Sequence, residues 1–141
     1  MKYVVLVSHG TFSIGLQSVL EMLAGGKRED VKSIGLEDGM DADTFSAKFK
    51  EIISPFTQED EVILLGDIVG GSPLTNAVNE LSSAGFLGKT VVFGGMNLAM
   101  ALTAVLMKDS MDTTELKIQL LEEGKNAMKE FVIEDHDDED I

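Results

Sequence analysis

Short apolar runs alternate along this chain with stretches whose apolar residues recur at helical spacing, and that alternation constrains the fold most. The runs are "YVVLV" (3–7), the weaker "VKSIGL" (31–36), "EVILLGD" (61–67) and "KTVVFGG" (89–95). Continuous apolar runs of this length suit strands covered on both faces. Between them, Leu16, Val19, Leu20 and Leu23 form an i, i+3, i+4, i+7 stripe stopped by Gly25 and Gly26. Phe45, Phe49, Ile52 and Ile53 form a second stripe closed by Pro55. "SPLTNAVNELSSAG" (72–85) predicts a helix with Ser72 as its N-cap, Pro73 at its first position and Gly85 past its end. "NLAMALTAVLM" (97–107) predicts a short helix capped by Asn97, and Asp112 with Glu115 opens a last one over roughly 112–128. "FVI" (131–133) is long enough only for an edge strand. Four β–α units in succession predict an α/β fold. The expected form is an open, mainly parallel four-stranded sheet of order 2-1-3-4, with helices on both faces and right-handed crossovers.

A chain of 141 residues, 44% apolar, has room for one core. The expected organisation is one domain over 1–133 and an acidic, disordered tail over 134–141. The net charge is −14, and "EDHDDEDI" holds six acids; the chain up to Ile133 keeps 19 acids against 11 bases, a net −8. Scattered bases make no patch, which excludes nucleic acid as a partner, and a negative surface favours a partner with a positive docking face. No run of about 18 apolar residues is present, and no cleavage-site pattern follows Lys2. A cytoplasmic protein is therefore expected. The absence of cysteine excludes disulfides and thiolate metal sites. The eight methionines fall mostly on helix faces, where core filling accounts for them. His136 lies among tail carboxylates and reads as a solvated residue rather than a metal ligand.

Open sheets of this kind bind ligands beyond the carboxyl ends of their strands, where the winding reverses. Three ends stand out: Ser8-His9-Gly10, Gly66-Asp67, and Gly94-Gly95-Met96-Asn97. In the order 2-1-3-4 the first and third strands are neighbours, so His9 and Asp67 face each other across the crevice. A carboxylate beside an imidazole fixes its tautomer and leaves the other nitrogen free as a nucleophile or base. Gly10 frees the turn after His9. Gly70 and Gly71 let the backbone approach a ligand closely, and Ser72 and Pro73 begin a helix whose free N–H groups attract an anion. A histidine, an orienting aspartate and an anion cradle together suggest a phosphoryl group. Each part alone is commonplace: a lone histidine at a strand end, an aspartate in a turn, a tidy helix start. Their landing on one sheet edge carries the reading.

With these residues on view, the sequence resembles the mannose-type IIA domain of the bacterial sugar phosphotransferase system (PTS). "VSHGTFSIGL", "GDIVGGSPLTNA" and "GGMNLAM" carry the resemblance, which extends from Met1 to about Phe131. It implies a phosphotransferase with a phosphohistidine intermediate, needing no cofactor and no bound metal. The small protein HPr would phosphorylate His9, and a IIB component would accept the group on its way to sugar entering through membrane components IIC and IID. Asp67 matches the family's orienting aspartate, while Gly71 and Ser72, in a turn with Gly10 and Gly70 close by, match its phosphate-holding residues. Family members dimerise through a short C-terminal strand that joins the partner's sheet, and "FVI" is the matching stretch. Ala99 stands where many members have proline. With no IIB sequence after residue 141, a stand-alone IIA component is expected.

Other chemistries fit less well. A histidine phosphatase needs arginines around its phosphate, and Arg28 is the only arginine here, with serine at position 8. A receiver domain needs clustered acids at the first strand end, and a flavin module needs stacking aromatics. The alternatives that share the fold are a related phosphocarrier feeding dihydroxyacetone kinase and a regulatory module that senses phosphorylation.

Overall fold

The computed structural model describes residues 1–135. His136 and the remainder of the tail expected at 134–141 lie outside the described residues. Among the described residues the chain runs β1 (Lys2–His9), α1 (Phe12–Leu23), β2 (Val31–Leu36), α2 (Ala42–Ile53), β3 (Glu61–Gly66), α3 (Ser72–Ser83), a 3-10 turn (Leu87–Lys89), β4 (Thr90–Phe93), α4 (Leu98–Met107) and α5 (Thr113–Asn126). All three strand pairings are parallel and the order is β2-β1-β3-β4, as the alternation predicts.

The pleat sorts the core into two layers, because successive strand residues point to opposite faces. Val4, Leu6, Ile63 and Leu65 face Leu16 and Leu20 of α1, Met100 and Ala104 of α4, and Leu116 and Leu120 of α5. Val5, Val7, Val62 and Leu64 face Phe45 and Phe49 of α2 and Leu74, Ala77 and Leu81 of α3. β1 and β3 are therefore buried on both faces, and their sequences contain apolar residues at consecutive positions for that reason.

Helix ends follow local chemistry. Asp41, Asn97 and Asp112 cap α2, α4 and α5 by accepting from the N–H groups of Thr44, Met100 and Glu115. After α3, Gly85 turns left-handed at φ +87°. The Gly85 N–H then bonds to Ser82 O, and the Phe86 N–H to Leu81 O, closing the helix as a Schellman motif.

One expected detail differs, at the start of α3. The N-cap of α3 is Gly71, not Ser72, which is the first helical residue and makes no capping bond. α1 starts at Phe12, four residues before its apolar stripe. Its opening turn is anchored from outside, since the buried Ser8 Oγ accepts from the Ser13 N–H at 2.8 Å. Residues 131–133 form no strand within the single chain, and Phe131 and Ile133 are 85% and 87% exposed.

Candidate functional site

β1 carries His9 out of the core at its last residue, and β3 ends one residue before Asp67. The parallel β1–β3 pairing brings the two side chains together at the carboxyl edge. The His9 Nδ1 lies 2.8 Å from Asp67 Oδ2. That same oxygen accepts the His9 backbone N–H at 2.9 Å, while Oδ1 accepts the Ile68 N–H at 2.9 Å. Partial burial pushes the Asp67 pKa upward, but the hydrogen bonds from the His9 N–H, the imidazole and the Ile68 N–H outweigh it and hold the carboxyl below its ordinary value. An ionised carboxylate only accepts, so Nδ1 carries the proton and the lone pair resides on Nε2. The imidazole is half exposed. Among the described residues its outer nitrogen has no hydrogen-bond partner.

The turn that follows β1 rests directly on β2. Gly10 has φ +57°, and its N–H donates to Leu36 O at 2.8 Å. That N–H is committed to the backbone, so Gly10 shapes the turn. A Cβ on Gly35 would overlap the Gly10 carbonyl oxygen. The buried Ser13 Oγ bridges onward to Ile34 O at 2.8 Å. Sequence reasoning passed over Gly35, Ser8 and Ser13. A glycine inside a strand and a serine on a buried helix face are the signals that mark such close approaches.

On the other side stands the start of α3. A Cβ on Gly71 would come within 2.9 Å of His9 Cε1, so only glycine lets the helix start lie against the ring. Gly70 turns left-handed at φ +86° to bring it there. The first N–H groups of a helix have no partner within it, and here Pro73 contributes none, which leaves those of Gly71, Ser72 and Leu74 at the helix start that lies against the imidazole. Ser72 Oγ accepts from Asn76 Nδ2 at 3.0 Å. The loop after β4 braces this wall: Gly95 N–H donates to Asp67 O and Met96 N–H to Gly66 O, each at 3.0 Å. Gly94 has no room for a side chain, because Val69 fills the space. The third strand end thus supports the aspartate from behind. Among the described residues, no helix is long and apolar enough to cross a membrane.

An imidazole tied by a carboxylate at one nitrogen, with a helix N-terminus beside it, thus stands at the carboxyl edge of a parallel α/β sheet. Residues 3–121 match the family model described as the PTS system fructose IIA component, and the chain belongs to that family of sugar phosphotransferase IIA components. It is similar to the phosphotransferase system component EIIA of Streptococcus agalactiae, at 27% identity with a TM-score of 0.78, over 92% of this chain and 97% of that one. Two further structures share the fold. One is a mannose/sorbose-specific IIA subunit from Enterococcus faecalis (22% identity, TM-score 0.81, covering 97% of this chain and 100% of that one). The other is a IIA protein associated with the fucose utilization operon of Streptococcus pneumoniae (24% identity, TM-score 0.78, covering 92% of each chain).

Proposed function

We propose that the chain is a phosphocarrier of the phosphoenolpyruvate-dependent sugar phosphotransferase system, taking a phosphoryl group from phospho-HPr onto His9 and passing it to a IIB component. The observation that carries this reading is the 2.8 Å pairing of Asp67 with Nδ1, which leaves Nε2 as the only nucleophilic ring atom. The Nε2 lone pair attacks phosphorus, the bond from phosphorus to the donor's ring nitrogen breaks, and its electron pair leaves with the donor imidazole. The Nδ1 proton stays between His9 and Asp67, whose negative charge balances the charge that the ring gains. N–H groups at the start of α3 and the Ser72 hydroxyl hold the phosphoryl oxygens. Transfer to IIB is the same exchange in reverse. Positioning and charge stabilisation account for most of such a reaction.

The surroundings favour a protein-borne phosphoryl group. His9 opens onto a surface where Phe12 at the start of α1, and Ile68 and Val69 in the loop after β3, are more than half exposed. Exposed apolar side chains grouped about a reactive atom suit transient docking of a protein. Incubation with phosphoenolpyruvate, enzyme I, HPr and magnesium should add one phosphoryl group, labile to acid and stable to alkali. His9→Ala should abolish it. Labelling that survives this substitution, or an acid-stable phosphoserine, overturns the assignment.

The same reading includes a homodimer. Among the described residues β4 has β3 as its one neighbour in the sheet, and its outer edge is unpaired. A groove of about 510 Å³ beside it has Thr90, Val91 and Leu116 in its wall. The exposed 131–133 segment of a second copy supplies a strand for that edge. Light scattering should give twice the chain mass, and truncation before Phe131 should lower it. A concentration-independent monomer refutes the exchange.

A further inference from the structure

We propose that Asn76 is a positioning residue for phosphoryl transfer, holding the Ser72 hydroxyl so that its proton is presented to the phosphoryl group on His9. The proposal rests on the reading of His9 as the phosphorylated residue.

Ser72 and Asn76 stand one helical turn apart on the same face of α3. The Asn76 amide donates from Nδ2 to Ser72 Oγ at 3.0 Å. A hydroxyl offers one proton and two lone pairs. Once a lone pair is occupied by an N–H, the hydroxyl proton must point away from that nitrogen. Helical serines commonly turn this proton onto the carbonyl four residues back. The Ser72 hydroxyl makes no such bond; its one side-chain hydrogen bond among the described residues is the one it accepts from Asn76.

The exposed Ser72 follows Gly71, and the space where Gly71 would carry a Cβ is closed by His9 Cε1. Cε1 is bonded to both ring nitrogens. With Nδ1 held by Asp67, a phosphoryl group on Nε2 comes within reach of the first turn of α3. Its oxygens only accept, so they need donors. Pro73 removes one of the N–H groups that a helix start ordinarily offers. An oriented hydroxyl replaces that missing donor. Asn76 touches no reacting atom and acts wholly through Ser72.

The test uses the full chain, phosphorylated through enzyme I and HPr, with the transfer rate at saturating phospho-HPr, the KM for phospho-HPr and the phosphohistidine lifetime as readouts. Asn76→Ala frees the hydroxyl to rotate and should slow saturated transfer about five-fold, with KM little changed. Asn76→Asp keeps the shape but accepts the Ser72 proton. It turns oxygen lone pairs toward the phosphoryl group and adds a like charge, so it should be slower still, about twenty-fold below wild type. In a Ser72→Ala background, Asn76→Ala should have no further effect, because the hydroxyl it positions is gone. Losses that multiply in the double variant overturn the proposal, as does an Asn76→Asp rate equal to or above that of Asn76→Ala. If wild type labels on His9 and these patterns fail, the role of Asn76 alone is refuted. If wild type takes no label, the phosphocarrier reading falls and this proposal with it.

Discussion

The two ends of the sheet use the same kind of contact for opposite purposes. At the carboxyl end, His9 meets Asp67 at 2.8 Å on a half-exposed surface. At the amino end, Lys108 is 1% exposed and meets Asp30 at 2.7 Å and Asp109 at 2.9 Å. Arg28 binds Asp30 through two further hydrogen bonds, each 2.9 Å long. The Lys2 ammonium closes this cluster over the Lys108 and Met111 carbonyls. Lys108, Arg28, Asp30 and Asp109 are each met by an opposite charge and Lys2 by carbonyl oxygens, and the cluster ties the α4–α5 turn to the start of β2. At the carboxyl end one ring nitrogen is left uncommitted. A short ion pair therefore says little about function by itself; what distinguishes the crevice is the unpaired atom and its exposure.

That difference is broken most severely at Asp67. Asp67→Asn should leave the fold intact, because the site lies at the sheet edge and the one amide oxygen can still accept from either the His9 or the Ile68 N–H. The amide favours the wrong ring tautomer and cannot balance a charged ring. Transfer from phospho-HPr should fall by about ten-thousand-fold, the loss that the same acid-to-amide change causes in a Ser-His-Asp triad. Single-turnover labelling of His9 measures this. A rate within a factor of about three of wild type would mean that the pairing orients nothing.

The converse change belongs to the amino end. Lys108→Ala removes a buried cation and leaves Asp30 and Asp109 without it, and breaking such a pair costs about 3 kcal/mol of stability. Urea unfolding should show the loss, while His9 in the folded fraction labels at the wild-type rate. A full loss of labelling without a loss of stability would join two ends that the geometry separates.

Much of this division was legible in the sequence. Burial on both faces writes strands as apolar runs, and helical stripes between them imply parallel crossovers, so the strand order and the meeting of His9 with Asp67 could be anticipated. Features set by one strand's backbone lying against another's could not. Gly35 matters because the Gly10 carbonyl occupies the space of its Cβ; a glycine inside a strand signals a close approach but does not say what approaches. The shift of the α3 cap from Ser72 to Gly71 has a similar origin, since the helix start is drawn against the His9 ring. The amino-end cluster joins Arg28, Asp30 and Lys108 across most of the chain, and periodicity does not register pairs of charges so far apart. Residues 131–133 form no strand in one chain, and their apolar side chains stay exposed there; the strand expected of them needs the partner sheet of the proposed dimer.

Acid should separate the two ends by a smaller margin. Asp30 is held far below the ordinary carboxylate range, first by its hydrogen bond from Arg28 and then by Lys108, against the opposing effect of burial. Asp67 is lowered as well, but burial works against its hydrogen bonds more strongly than any one of them works for it. A carboxylate whose pKa is depressed on folding adds stability above its unfolded value, about 3.9, and loses that contribution as pH falls through the folded value. Both groups therefore make the protein less stable on going from pH 5 toward pH 2.5, and the more depressed one sets the steeper slope. Asp30→Asn should flatten the dependence of unfolding free energy on pH over that window more than Asp67→Asn does, whatever each costs at pH 7. The comparison is of slopes, so the loss that Asp30→Asn causes at neutral pH does not enter it. Urea titrations at half-unit steps provide the measurement. A flatter curve for Asp67→Asn than for Asp30→Asn would place the stronger proton linkage in the crevice, and would make the half-exposed pair, rather than the buried cluster, the more tightly held of the two.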